Sequence, residues 1–313
     1  MGVRQDSATW AGTLLRHVIP TGLGPCTVRV QPGSGSPASG TPEVYLHGAA
    51  GSWTTFRPLL SEASPHDRVL IDLPGWGEST EGARLERFGI EAMARAITDV
   101  LNVLGYPRWN LVGHSMGGFL ALHIAAAWPE RTASVAAISA TTFGVSEAAR
   151  EPLRSLSRFP AFVGMRLLMR SLAFLGPAGP ALVRAVGATP VMGLLMSPFF
   201  ADPAGISAAV IRGLGHDARP ASFSAAARAV GHYDFDQWRG IRCPVLATRG
   251  DTDVFTSLSD LDRRAATVPN VRTVTIPRCG HFANVEQPKT VQRLLDDLWS
   301  GQLTNLPLPA PPA

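Results

Sequence analysis

Gly113-His114-Ser115-Met116-Gly117-Gly118 lies between a strand-like apolar run, Trp109 to Val112, and a helix-like run, Phe119 to Trp128. A serine on so sharp a strand-to-helix turn is held in a strained backbone with its hydroxyl clear of the sheet, and small neighbours let chain and substrate approach. The N-terminus of the following helix adds backbone N–H groups and a positive dipole end. A glycine-rich turn with an idle serine would show the same hexapeptide, because a serine hydroxyl becomes a nucleophile only when a histidine takes its proton and an acid orients that histidine. Both residue types follow downstream. Cys243 to Thr248 reads as a strand leading into Arg249-Gly250-Asp251-Thr252-Asp253, and Val271 to Ile276 as a strand whose exit loop carries Cys279-Gly280-His281-Phe282. Of the eight histidines, His281 alone follows a strand end beyond both the serine and the acids. Asp251 and Asp253 both stand where a side chain can reach across the strand tops. The chemistry this set can perform is acyl transfer through a covalent serine intermediate.

The elements that must position these residues are strands separated by helix-length segments, which imply βαβ units and a mostly parallel sheet. Thr13 to Ile19 and Thr27 to Gln31 suggest a leading hairpin, followed by a Gly/Ser/Pro loop at 32–42 that is expected to be mobile. Glu43 to Leu46 reads as a buried strand running into His47-Gly48-Ala49-Ala50-Gly51-Ser52-Trp53. A small-residue loop after a central strand lets a backbone N–H face a bound oxygen, and Ala49 is the candidate donor. Arg68 to Ile71 makes another strand, ending in Asp72-Leu73-Pro74-Gly75-Trp76-Gly77-Glu78-Ser79, where Asp72 reads as a loop-tying acid. Apolar spacing from Leu85 to Leu104 predicts one helix, ended by Gly105. Ser134 to Ile138 is the sixth strand, and no carboxylate follows it in Ser139-Ala140-Thr141-Thr142. From 143 to 239 the alternation stops, and Pro and Gly cut an apolar stretch into several short helices, the form that a lid or cap takes. Pro288 to Trp299 predicts a closing helix. The domain reading is thus a body at 1–142 and 240–300, a helical cap at 143–239, and a disordered Pro-rich tail at 301–313.

Composition narrows the function classes. Hydrophobic residues make up 45% of the 313, ample for a core, and the net charge of +4 is spread without blocks of like sign, so it predicts a solvated surface and no nucleic-acid partner. Three scattered cysteines and the absence of zinc-ligand spacing predict neither a disulfide framework nor a metal site. The first twenty residues carry no long apolar h-region, and Arg166 and Arg170 interrupt the most apolar stretch. These features predict a cytoplasmic protein without stable membrane insertion. A homodimer is compatible with this reading.

With these residues placed, residues 43–142 and 240–300 resemble the α/β-hydrolase superfamily. Four motifs occur in that family's order: His47-Gly48, Asp72 to Ser79, Gly113-x-Ser115-x-Gly117 and Gly280-His281. The resemblance implies an α/β fold, with a mostly parallel central sheet flanked by helices and a helical cap inserted after the sixth strand. It also implies Ser115 as nucleophile, His281 as general base and acid, and the N–H groups of Ala49 and Met116 as oxyanion hole. The acid, three residues after a glycine on the loop following the family's seventh strand, falls on Asp253, with Asp251 as the lesser candidate. The implied activity is a cofactor-free, metal-free serine hydrolase acting on a lipophilic carboxylic ester or lactone. C–C bond hydrolysis, cofactor-free peroxidation, a ligand receptor and an interfacial lipase remain open alternatives. Four of the seven methionines fall in 143–239, an adaptable lining for lipophilic ligands. Trp53, Phe143, Met169, Met192 and Phe282 are the candidate substrate contacts.

Overall fold

Alternating apolar side chains on short runs of β-branched and aromatic residues build a sheet buried on both faces. The computed structural model describes residues 4–5 (backbone alone), 14–35, 40–49, 51–61 and 63–302. The Pro-rich tail from 303 and residues 36–39 of the expected mobile loop lie outside the described residues. The strands are β1 (Arg4–Gln5), β2 (Leu15–Thr21), β3 (Gly24–Gln31), β4 (Glu43–Leu46), β5 (Arg68–Ile71), β6 (Trp109–His114), β7 (Thr132–Ile138), β8 (Val245–Gly250) and β9 (Val271–Ile276). Their order across the sheet is β1-β2-β3-β5-β4-β6-β7-β8-β9. The leading strands and the β3–β5 pair are antiparallel, and every pair from β5 to β9 is parallel.

The side-chain period of two separates two cores. Val44, Leu46, Val69, Ile71, Leu111, Val135 and Val245 face one way, against α1 (Ile90–Val103) and α2 (Met116–Ala127). Tyr45, Leu70, Val112, Ala136 and Leu246 face the other, against a 3-10 helix at Trp53–Leu60 and the closing helix Pro288–Trp299. Such double burial is what a parallel sheet requires. The single helix expected over 85–104 is instead a 3-10 turn at Leu85–Arg87 followed by α1, because Phe88 and Gly89 are extended between them.

Between β7 and β8 the chain runs through α3 (Phe143–Arg150), α4 (Pro152–Ser155), α5 (Pro160–Phe174), α6 (Ala178–Gly187), α7 (Pro190–Met196), α8 (Ala208–Asp217) and α9 (Pro220–Val230). Proline occupies the first helical turn of α4, α5, α7 and α9, where its missing N–H costs nothing. After β8 come α10 (Leu258–Thr267), α11 (Ala283–Glu286) and α12 (Pro288–Trp299). The start of α10 is legible as a capping box between Ser257 and Asp260.

Because all the parallel strands end on one edge, the loops that leave them meet there, and buried polar side chains tie them together. Asp72 accepts from the Trp53 N–H at 2.9 Å and the Glu78 N–H at 3.0 Å, the loop-tying role its position suggested. His47 Nε2 accepts from the Leu73 N–H at 3.0 Å, and His114 Nε2–H donates to the His281 carbonyl at 2.9 Å. The N-terminus of α2 presses on the end of β4 so closely that a Cβ at Gly117 would stand 1.9 Å from the Leu46 carbonyl oxygen.

Two predictions follow from this edge. Gly117→Ala forces a backbone clash that no rotamer relieves, so thermal unfolding of the variant should show a loss of about 3 kcal/mol or more; an unchanged midpoint would contradict the close approach. Burial lowers the pKa of His47 to about 4. Burial, and next to it the neighbouring His281, lower the pKa of His114 to about 3. The unfolded chain therefore takes up these protons first as pH falls below about 6.5, and stability declines. Asp72, raised by burial to about 6, is protonated more readily in the folded state and offsets one histidine below that pH. The net loss from these three groups between pH 6.5 and 5 is about 2 kcal/mol, read as a fall in the melting midpoint.

Candidate active site

Ser115 sits between β6 and α2 with φ 54° and ψ −118°, a region that a non-glycine residue adopts only under tertiary constraint. Its N–H is held by the Ile138 carbonyl at 3.0 Å. His281 arrives from the exit of β9 and Asp253 from the exit of β8. The His281 Nδ1–H donates to Asp253 Oδ1 at 2.9 Å, and His281 Nε2 stands 2.9 Å from Ser115 Oγ. With Nδ1 committed as donor, Nε2 carries the lone pair that can take the serine proton. Neighbours on both sides hold the histidine. Its own N–H donates to the Phe199 carbonyl at 2.8 Å, and the Phe255 ring meets it edge-on at 4.8 Å.

Burial pushes the Asp253 carboxyl up, but His281 and the N–H groups of Phe255 and Thr256 outweigh it, leaving the pKa below the usual value. Those two N–H groups reach Oδ1 at 2.9 and 3.1 Å. A buried guanidinium, Arg264, interacts electrostatically with this acid, and its Nη2 donates to the Ala140 carbonyl and to Thr142 Oγ1, both at 3.0 Å. Asp251 turns elsewhere. Its carboxylate accepts from the Cys279 N–H at 3.0 Å and the Arg278 N–H at 2.9 Å, so it braces the histidine loop without touching the ring.

Ala49 and Met116 both flank Ser115 in the wall of one cavity. Met116 opens α2, and a first helical N–H has no partner in its own helix. For Ala49 the direction of the N–H is set by the preceding peptide. The Gly48 carbonyl accepts from His47 Nδ1–H at 2.8 Å and from the Gly51 N–H at 3.2 Å, and in a trans peptide the next N–H points the opposite way.

The cavity over Ser115 has an apolar wall, with Phe162 and Met165 from α5, Met196 from α7, Phe223 from α9, and Phe255 and Phe282 beside the histidine. Among the described residues, the lining contains no Arg, Lys, Asp or Glu. Nor does any group of three or more His, Cys, Asp or Glu among them gather to hold a metal ion.

Of the expected substrate contacts, Phe282 lines this cavity, and the other four require correction. Trp53 is part of a neighbouring crevice that carries charged residues, its ring under the guanidinium groups of Arg29 and Arg57 at 4.6 and 4.9 Å. Phe143 turns back into the body, 4.3 Å from the Phe235 ring, with the Arg263 guanidinium over it. Met169 lies one turn beyond Met165 on α5 and packs into the apolar interior of the helical insertion. Met192 fills the close crossing of α6 and α8 beside Gly187 and Gly215. Phe162, Met165 and Met196 carried a visible signal, apolar residues on helical segments, but period alone does not say which apolar position faces a cavity and which faces a neighbouring helix.

A family profile described as alpha/beta hydrolase fold matches residues 44–288. The chain is 27% identical over 272 residues to the 2-hydroxy-6-oxo-6-phenylhexa-2,4-dienoate hydrolase of Burkholderia cepacia, covering 82% of this chain and 87% of that one. Among solved structures, it is similar to naproxen esterase (carboxylesterase NP) from Bacillus subtilis, with a TM-score of 0.67 and 21% identity over 93% of both chains. It is similar also to the enol-lactonase from Burkholderia xenovorans LB400, with a TM-score of 0.64 and 17% identity over 91% of this chain and 100% of that one. The matched span contains β5 to β9 and all of β4 but Glu43, the turn at Ser115 and the loops that carry Asp253 and His281, and the chain belongs to the α/β-hydrolase family.

Proposed function

We propose that the protein is a cofactor-free serine hydrolase that cleaves an uncharged, lipophilic carboxylic ester or lactone, with residues 143–239 acting as a cap over the site. The observation that carries this reading is the hydrogen-bonded chain from Asp253 through His281 to Ser115 at the base of an apolar cavity. In the first step, Ser115 Oγ adds to the substrate carbonyl as its proton passes to His281 Nε2, and Asp253 stabilises the imidazolium. The N–H groups of Ala49 and Met116 hold the developing oxyanion. Collapse expels the alkoxide, which takes the proton from His281 and leaves an acyl ester on Ser115. Water then adds with its proton passing to His281, and the second collapse returns that proton to Ser115 Oγ and releases the acid.

The cavity wall bears on substrate charge. The names of the dienoate and dienedioate hydrolases among the relatives describe substrates that carry carboxylates. Burying a carboxylate without a cationic partner is costly, and this lining supplies no arginine or lysine among the described residues. C–C hydrolysis of an uncharged diketone-like compound is the second reading, supported by the 27% identity to the Burkholderia cepacia enzyme.

Ser115→Ala should lower kcat on a chromogenic ester by about 10⁶-fold and abolish labelling by a fluorophosphonate, while Asp253→Asn should cost about 10⁴-fold. Undiminished turnover by either variant would overturn the relay. In a matched pair of esters, adding a carboxylate to the acyl chain should lower kcat/KM by about 100-fold. Labelling of Ser115 without turnover of any ester, together with cleavage of a neutral diketone, would select the second reading.

A further inference from the structure

The helical insertion is apolar on two sides. The inner face of α5 carries Phe162 and Met165 to the cavity, while Leu167 and Phe174 on its outer face are 55% and 79% exposed. On α7, Met196 lines the cavity and Leu194 is 75% exposed. α6 packs between these two helices and presents Leu182 to solvent. A helix with apolar residues on every side normally lies in a core, and an outward cluster of large apolar side chains marks a surface with a partner.

The charge on the same stretch identifies the chemistry of that partner. Residues 152–201 contain five arginines and no aspartate, glutamate or lysine. Among the described residues, Arg158, Arg166, Arg170 and Arg184 pair with no carboxylate, and the Arg170 guanidinium lies 6.0 Å from the Phe174 ring. A second copy of the chain is a poor occupant. A two-fold contact would bring the arginines of one patch against those of the other, with no acid in the segment to pair them. Nor is this a spanning segment. Ala178–Gly187 and Pro190–Phe199 are together as apolar as a broken span but bend 98° to each other. Their inner residues Val183, Met192 and Phe199 are buried in the protein.

We propose that the outer face of α5, α6 and α7 docks peripherally on anionic lipid surfaces. The arginines contact the headgroups, and Leu167, Phe174, Leu182 and Leu194 enter the boundary with the acyl chains. This arrangement has the composition of an interfacial amphipathic surface, cationic side chains beside large apolar ones. It places the helices that wall the cavity against the phase in which lipophilic compounds concentrate. The proposal does not depend on the catalytic assignment, since none of its residues belongs to the serine relay.

The test is flotation of the full chain with phosphatidylcholine vesicles, with and without phosphatidylglycerol. Partition is expected onto the phosphatidylglycerol vesicles and should weaken as salt is raised. Arg170→Gln with Arg184→Gln should weaken it by about 25-fold, from about 5-fold per arginine near an anionic surface. Leu194→Gln should weaken it by about 10-fold. These side chains are exposed, so circular dichroism and the melting midpoint should be unchanged, which separates loss of docking from loss of fold. Equal partition onto both kinds of vesicle, or onto neither, would overturn the proposal. So would partition that the arginine variants leave intact. Self-association in sedimentation equilibrium, abolished by Leu194→Gln in a chain that binds no vesicle, would assign the face to a second copy instead.

Discussion

The site depends on how closely α2 and β4 approach at Gly117. That contact, in which any side chain would strike the Leu46 carbonyl, lets the chain reverse from β6 into α2 within one residue and leaves Ser115 at φ 54°. Strain of this kind persists only where surrounding structure over-determines it. Here the Ile138 carbonyl holds the Ser115 N–H from the neighbouring strand, and Gly48 passes against the serine from the other side. Sheet, helix and loop together hold one hydroxyl at the strand edge.

The partners of the serine come to that edge because the parallel strands all end there, and each partner is braced by backbone. Gly250 at the end of β8 lets the histidine loop pass over it, since a Cβ there would meet the Cys279 carbonyl oxygen at 2.1 Å. Asp251 then holds that loop through two N–H groups, and Asp253, two residues on, receives the imidazole. Neighbouring acids thus divide into a brace and a ring partner by which way each faces. The helical insertion takes part as well, since the Phe199 carbonyl accepts the His281 N–H. A shift of that segment would reach the histidine directly.

The insertion also sets the polarity of the cavity. Aromatic and methionine side chains from α5, α7 and α9 line the cavity at Ser115 without a lysine, arginine or carboxylate among the described lining residues, while charged groups gather in the neighbouring crevice beside Trp53. Apolar side chains on both faces of α5 and α7 make one short stretch of sequence part of both the cavity lining and the exposed surface.

Local patterns in the sequence reach far into this protein. The short strand runs at 43–46, 68–71 and 271–276, the helix at 288–299 and the four motifs of the family are all local, because strand pleat, helix pitch and turn chemistry depend on residues close in the chain. The 3-10 helix at Trp53–Leu60 left no such periodic signal, and the break at Gly89 that splits the expected 85–104 helix is a backbone choice that apolar spacing does not report. Which acid meets His281, and which apolar residues face the cavity, are relations between segments far apart in sequence. Trp53, Phe143, Met169 and Met192 are apolar at the right kinds of position, yet each finds a nearer partner: two guanidinium groups, a phenylalanine ring, the interior of the insertion, and the crossing of two helices. Residue type and spacing determined the sheet, the turn at Ser115 and the order of serine, acid and histidine. The direction of each side chain was decided by tertiary packing, because burial rewards contact with whichever surface the folded chain brings closest.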